Sequence, residues 1–337
     1  MEYLRIRRLG VRVPPSAQMI TGCYSKSVSS LNVTQKIFIS LLFCFASFSA
    51  CSTDDQTDFS PTIKENTIEK DNEQTPTVRS SGLERNSISV GETTRTYLTY
   101  FPSVTSDLIP VIIDFHGGAG TAEGQYITSN FIEIADREGI LVIYPQADVR
   151  TGSVWNTLHS DEGNKVAGVD DFGFIAAIIE SLELNPNIDT SRIYVSGYSN
   201  GAAMAYQMGC HLNEYIAGFV VMSGLFPLED EYPCVITHET AGIIINGTSD
   251  YERPMIGIEG YTMPVREAAS WWAVQNGSTQ ESVIQDENIE RTTYETASGT
   301  QIQLFIVEGG GHDWFTFYVD NLPMNEFIWE VLSNFRK

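Results

Sequence analysis

The apolar residues of this chain fall into short, dense runs separated by polar and glycine-rich stretches. Val111-Ile112-Ile113-Asp114-Phe115, Arg192-Ile193-Tyr194-Val195-Ser196, Ala241-Gly242-Ile243-Ile244-Ile245 and Gln301-Ile302-Gln303-Leu304-Phe305-Ile306-Val307 are rich in β-branched residues and mostly apolar. Such runs predict strands buried on both faces of a parallel sheet. Phe172 to Leu184 carries apolar residues at helical spacing, and Ala202-Ala203-Met204-Ala205-Tyr206-Gln207-Met208 is small and unbranched, so both predict helices. Ser87 to Val90 and Thr94 to Tyr100 read as leading antiparallel strands. Strands and helices then alternate, which predicts one α/β domain over residues 81–337, with a mainly parallel central sheet flanked by helices. About 257 residues suit a single sizeable core.

The first eighty residues carry a different pattern. Residues 37–50, opening on Ile37-Phe38-Ile39-Ser40-Leu41-Leu42-Phe43 after Lys36, are almost wholly apolar. That length suits the core of a signal peptide and is too short to span a bilayer. The run ends in Phe48-Ser49-Ala50-Cys51, small residues beside a cysteine, which resembles a bacterial lipoprotein cleavage site with Cys51 as the lipidated residue. Residues 1–50 are thus expected to be a signal peptide, with Met19 an alternative start. Residues 52–80 are rich in Ser, Thr, Asp, Asn and Glu, so residues 51–80 read as a lipidated, flexible acidic tether. These features predict export and attachment to the bacterial outer membrane or cell surface through lipid alone. Ordinary signal cleavage, leaving a periplasmic or secreted protein, is the alternative.

Charge narrows the partners. The chain holds 20 basic and 43 acidic side chains, formally −23. Residues 1–50 carry six of the basic groups and one of the acidic, so the remainder has 14 against 42, a formal −28. A surface that negative repels nucleic acid and anionic lipid and favours neutral over anionic substrates. The expected partner is a neutral ester, and the expected state a monomer. Export also puts Cys210 and Cys234, the cysteines remaining after residues 1–51, in an oxidising compartment, where a disulfide between them is expected.

The chemistry concentrates around Gly197-Tyr198-Ser199-Asn200-Gly201, which joins a predicted strand to a predicted helix. A serine on so tight a turn has its hydroxyl lifted above the sheet edge, as in a nucleophile elbow. Serine needs a base, and the base needs an orienting acid. His312 follows the last strand and the flexible run Gly309-Gly310-Gly311, so its ring can reach back over the sheet. Asp250 leaves the end of the strand at 241–245 through Asn246-Gly247-Thr248-Ser249, with Glu252 the nearest competitor. His116-Gly117-Gly118-Ala119-Gly120 follows the strand at 111–115. Its glycine N–H groups, from Gly117 or Gly118, would join the N–H of Asn200 as an oxyanion hole. The segment has neither the Lys-Ser/Thr of a phosphate loop nor dinucleotide-binding spacing.

In sequence order, His116-Gly117-Gly118, Trp155-Asn156, Val169 to Ile175, Gly197 to Gly201, Gly247 to Asp250, Trp271 to Gly277, Gly309 to Trp314 and Ile328-Trp329-Glu330 resemble one family. It is the extracellular poly(3-hydroxybutyrate) depolymerase and feruloyl esterase group of α/β-hydrolases, which includes carbohydrate esterases. The resemblance covers roughly three quarters of the chain, from about Ile88 onward. It departs at Asn246, at Ser278, and at Asp313 and Phe315 beside Trp314. The resemblance implies an α/β-hydrolase fold and a serine carboxylesterase working through an acyl-enzyme without cofactor or metal. Trp314, Trp155, Tyr198 and His116 are then candidates for contact with an acyl group or sugar ring. Asp170-Asp171 precedes a helical run, so it reads as a cap and a favourable charge at the helix start rather than a metal site. The expected substrate is feruloyl or acetyl ester on plant polysaccharide or oligosaccharide. The alternatives are a polyhydroxybutyrate or other polyester hydrolase and a non-catalytic surface glycan-binding lipoprotein.

Overall fold

A computed structural model describes residues 64–65, 82–103, 108–158, 168–229 and 233–337. The apolar segment 37–50, Cys51 and the rest of the expected tether lie outside the described residues. Within 51–80 the described residues are β1 (Lys64–Glu65), which pairs parallel with Glu84–Arg85.

The other strands of the main sheet are β2 (Gly82–Val90), β3 (Thr93–Phe101), β4 (Ile109–Phe115), β5 (Leu141–Pro145), β6 (Ile188–Tyr198), β7 (Gly218–Met222), β8 (Ala241–Gly247), β9 (Gln280–Asp286), β10 (Ile289–Glu295) and β11 (Gln301–Val307). Among the described residues they form one sheet in the order β1-β2-β3-β5-β4-β6-β7-β8-β11-β10-β9. From β5 through β11 the pairs β5–β4, β4–β6, β6–β7, β7–β8 and β8–β11 are all parallel. Antiparallel pairs flank this block, β2–β3–β5 on one side and β11–β10–β9 on the other. The helices are α1 (Ala122–Ser129), α2 (Ile132–Glu138), α3 (Asp171–Glu183), α4 (Asn200–His211), α5 (Val265–Gln275) and α6 (Met324–Leu332).

Alternation along each strand divides the core in two. Val111, Ile113, Val195, Phe219, Ile244 and Leu304 face α3, α4 and α5. Ile112, Tyr194, Val220, Ile245 and Phe305 face α1, α2 and α6. A sheet covered on both faces needs apolar residues at every position, which is why these strands read as continuous runs. The hairpin β9–β10 is different: every residue of β9 is exposed. The disulfide Cys210–Cys234 joins the end of α4 to the loop before β8. On the chain-entropy account a loop of 24 residues closed in this way contributes roughly 3 kcal/mol. Of the tryptophan pair on α5, Trp272 is core and Trp271 packs at its margin.

Candidate active site

β6 ends at Tyr198 and α4 begins at Asn200, leaving Ser199 alone on the turn with φ 56° and ψ −114°. A non-glycine residue at positive φ is held there by its surroundings. Ser199 N–H donates to Met222 O on β7 (2.9 Å), and α4 starts immediately after. Gly201 allows the turn to sit against the neighbouring strand: a Cβ there would run into the carbonyl oxygens of Phe115 and His116.

His312 stands between serine and aspartate. Its Nε2 lies 2.8 Å from Ser199 Oγ and its Nδ1 2.8 Å from Asp250 Oδ2. Asp250 is 3% exposed, and its Oδ1 accepts the N–H groups of Glu252 (2.9 Å) and Arg253 (2.8 Å). The carboxylate is therefore oriented by its own turn, with one oxygen left for the histidine. Glu252, the competing acid, reaches the other ring nitrogen, with Oε2 3.8 Å from Nε2. The acid and histidine loops are bound directly to each other. Ser249 N–H donates to Gly310 O (2.8 Å), Gly309 N–H to Thr248 Oγ1 (2.8 Å), and a Cβ on Gly247 would overlap Gly310. Tyr198 holds the histidine from the elbow: its hydroxyl donates to His312 O (2.7 Å) and its ring lies 5.1 Å from the imidazole. Burial first, then Asp313, Glu252 and Asp250, push the Tyr198 hydroxyl above its ordinary pKa, so it stays a donor.

The glycine turn after β4 is fixed through its carbonyls. Trp155 Nε1 donates to His116 O (2.9 Å), which sets the His116–Gly117 peptide and with it the direction of the Gly117 N–H. Ala147 N–H donates to His116 Nε2 (3.1 Å), so the ring proton sits on Nδ1 and is donated to Gly117 O (2.7 Å). Gly120 N–H donates to the same oxygen (3.0 Å), and the Gly118 N–H is set in turn. A Cβ on Gly117 would stand 3.5 Å from Ser199 Cβ, so this turn lies against Ser199. Asn200, whose N–H opens α4, has its side chain clamped on Trp155, with Oδ1 accepting Trp155 N–H (2.7 Å) and Nδ2 donating to Trp155 O (3.3 Å).

These contacts correct two readings. Trp155 and His116, expected to meet substrate, are 2% and 1% exposed and engaged with the scaffold, so they position the glycine turn instead. Burial lowers the His116 pKa, which keeps the ring neutral for its two opposed hydrogen bonds. Trp314 is half-buried, edge-on to Phe131 and Tyr198. Of the aspartate pair, Asp170 caps α3 by accepting Gly173 N–H (2.7 Å), as expected. Asp171 lies in the first turn of α3, as expected, and is wholly buried there. Its Oδ1 takes Arg95 Nη2 (2.6 Å) and its Oδ2 takes Asn156 N–H (2.8 Å). Sequence reasoning missed Arg95, because a lone arginine in an alternating strand reads as solvent-facing.

Asp114, just before the glycine turn, is fully buried and accepts Gln125 Nε2 (2.9 Å). Burial outweighs its hydrogen bonds and pushes its pKa up to about 7. The folded state therefore binds a proton that the unfolded chain has released between pH ~4 and ~7, and stability falls as pH rises through that window. Asp114→Asn is expected to abolish this slope, on the order of 4 kcal/mol between pH 4 and pH 8. Urea midpoints of both proteins across that range check it, and parallel pH dependence would refute it.

The strand order and the strand–turn–helix elbow are those of the α/β-hydrolase fold. Residues 160–259 match the phospholipase/carboxylesterase family. A bifunctional acetylxylan esterase/xylanase of Neocallimastix patriciarum is 26% identical over 220 residues, 63% of this chain and 30% of that protein. A probable acetylxylan esterase A of Aspergillus fumigatus is 30% identical over 126 residues, 37% of this chain and 33% of that protein. Feruloyl esterase B of Neurospora crassa is 28% identical over 127 residues, 38% and 43% of the two chains. The chain thus spans about a third of the length of the first curated relatives it matches. Among solved structures, an acetyl xylan esterase from Aspergillus awamori superposes with TM-score 0.53 at 18% identity, covering 71% of this chain and 94% of that one. The chain has an α/β-hydrolase fold and is similar over part of its length to acetylxylan and feruloyl esterases.

Proposed function

We propose that the protein is an exported serine carboxylic ester hydrolase that removes acetyl or feruloyl groups from plant polysaccharide or oligosaccharide. The observation that carries this reading is the pair of 2.8 Å hydrogen bonds that puts His312 between Ser199 and Asp250. Ser199 Oγ attacks the ester carbonyl while His312 Nε2 takes its proton, and Asp250 holds the Nδ1–H and stabilises the imidazolium. The N–H groups of the Gly117–Gly118 turn and of Asn200 receive the developing oxyanion. His312 returns the proton to the departing sugar hydroxyl, leaving an acyl-serine, and a water activated by the same nitrogen releases the acid. Every group needed is a side chain or a backbone amide. A polyester substrate would use the same steps, but the relatives are named for acetylxylan and feruloyl esters. Assay of the purified protein against acetylated xylan, methyl ferulate, short p-nitrophenyl esters and polyhydroxybutyrate tests the reading. Turnover of the polyester alone would transfer the assignment, and turnover of none would end it.

Export and anchoring belong to the same proposal and rest on residues 37–51. The acyl chains on Cys51 would supply the membrane affinity that an acidic surface cannot. Cys51→Ser is expected to move the protein from the membrane fraction to the soluble fraction on cell fractionation, and a variant that stays fully membrane-bound rules the anchor out.

A further inference from the structure

The turn that carries the buried triad acid also presents side chains outward. Tyr251 is 93% exposed although its neighbour Asp250 is 3% exposed. Glu252 is exposed too, and its Oε2 lies 3.8 Å from His312 Nε2, the nitrogen that meets Ser199. The turn is not loose. Glu252 and Arg253 are tied by their N–H groups to Asp250, and Arg253 Nη1 donates to Glu252 O (2.9 Å). The loop beyond is fastened to the body as well: Leu228 N–H donates to Tyr261 O (2.9 Å) and Met263 N–H to Phe226 O (3.0 Å). Exposed apolar side chains continue along it, with Ile256 82% and Tyr261 68% exposed.

An exposed aromatic ring next in sequence to Asp250 and a carboxylate 3.8 Å from His312 Nε2 match the chemistry of a neutral sugar. A pyranose has an apolar C–H face that gains by covering an aromatic ring, and hydroxyl groups that donate to a carboxylate. A tyrosine on a fixed turn loses little conformational freedom in making such a contact. The interior of a polyester chain offers acceptors and no hydroxyl donors, so it would cover the Glu252 carboxylate without pairing it. The surroundings are acidic too: Glu252, Asp250 and Asp313 all act on the Tyr198 hydroxyl, with Arg253 opposing them.

Resting on the esterase reading above, we propose that Tyr251 and Glu252 form the subsite for the sugar ring that bears the ester. Tyr251 covers a face of the ring and Glu252 accepts from its hydroxyls. The experiment compares Tyr251→Ala and Glu252→Gln with the parent protein on acetylated xylo-oligosaccharide and on p-nitrophenyl acetate, which has no sugar. The ratio of kcat/KM on the sugar ester to that on p-nitrophenyl acetate is expected to fall about tenfold in each variant, mainly through KM. Calorimetric titration with unacetylated xylohexaose reads the subsite without turnover. Binding by the parent protein, weakened about tenfold in Tyr251→Ala, supports it. An unchanged ratio, or xylohexaose binding that is absent or indifferent to both substitutions, overturns the subsite even where p-nitrophenyl acetate hydrolysis upholds the esterase. Loss of all ester turnover in the parent protein strikes the esterase reading instead, and sugar binding at Tyr251 would then survive it.

Discussion

Ser199→Ala is expected to lower ester hydrolysis by on the order of 10³-fold or more, with the urea midpoint nearly unchanged. The side chain lost is small, and the turn is held by the Ser199 backbone bond to Met222 and by the packing of Gly201. His312→Ala should fall nearly as far, since an unactivated serine is almost inert, and the double variant should be little worse than either single one. Asp250 has a sharper consequence. Its Oδ1 already accepts two backbone N–H groups, so in Asp250→Asn the amide oxygen stays with them and the NH₂ group faces His312 Nδ1. That arrangement forces the ring proton onto Nε2, where it cannot accept from serine, so the loss should approach that of Ser199→Ala. Steady-state kinetics on p-nitrophenyl acetate, with fluorophosphonate labelling to locate the nucleophile, provide the check. Wild-type rates in Ser199→Ala, or label on another serine, would reject the triad.

Arg95→Met is expected to destabilise the protein by roughly 3–5 kcal/mol, because it leaves the Asp171 carboxylate buried without its cation. Arg95 and Asp171 are 5% and 0% exposed, and Arg95 also lies 4.3 Å over the ring of Phe174. Burial already raises the Asp171 pKa against the opposing pull of Arg95, so removal of the arginine should raise it further. The consequence extends to catalysis. Asp171 holds Asn156 N–H, while the adjoining Trp155 holds both His116 O and Asn200. The fraction of Arg95→Met that stays folded should therefore show a lower kcat with little change in KM, as expected when a group aimed at the transition state is misplaced. Chemical denaturation and kinetics at low temperature separate the two effects, and an unchanged unfolding midpoint would remove the pair from the account.

The parts of the fold that were legible in sequence are those whose residues answer to a single demand. β4, β8 and β11 are covered on both faces, so apolar runs name them directly; β11 has the predicted bounds, and β8 runs two residues past them to Gly247. The elbow was legible because a tight strand-to-helix turn admits few residues, and Gly201 meets backbone on the far side. The disulfide followed from there being two cysteines to pair. β9 was not legible, since a strand exposed along its whole length carries no buried alternation. Nor could sequence tell that Trp155 and His116 face inward. An indole and an imidazole suit a substrate wall and a hydrogen-bonded brace equally well, and the choice depends on the partners at His116 O, Ala147 and Gly117. The ion pair between Arg95 and Asp171 spans 76 positions, a pairing that no local pattern records.

The exposed strand β9 has a consequence for how the molecules behave in concentrated solution. Among the described residues it closes one side of the sheet with no strand paired on its outer side, and it carries Val283 and Ile284 at 59% and 54% exposure. Such an edge is a template for another strand, and what keeps two copies apart at neutral pH is mutual repulsion between strongly negative bodies, to which Glu281 and Asp286 on the strand itself contribute. Acidification through the range where carboxylates take up protons removes that barrier while leaving the edge intact. Turbidity on mild acidification would then arise from folded molecules joining rim to rim.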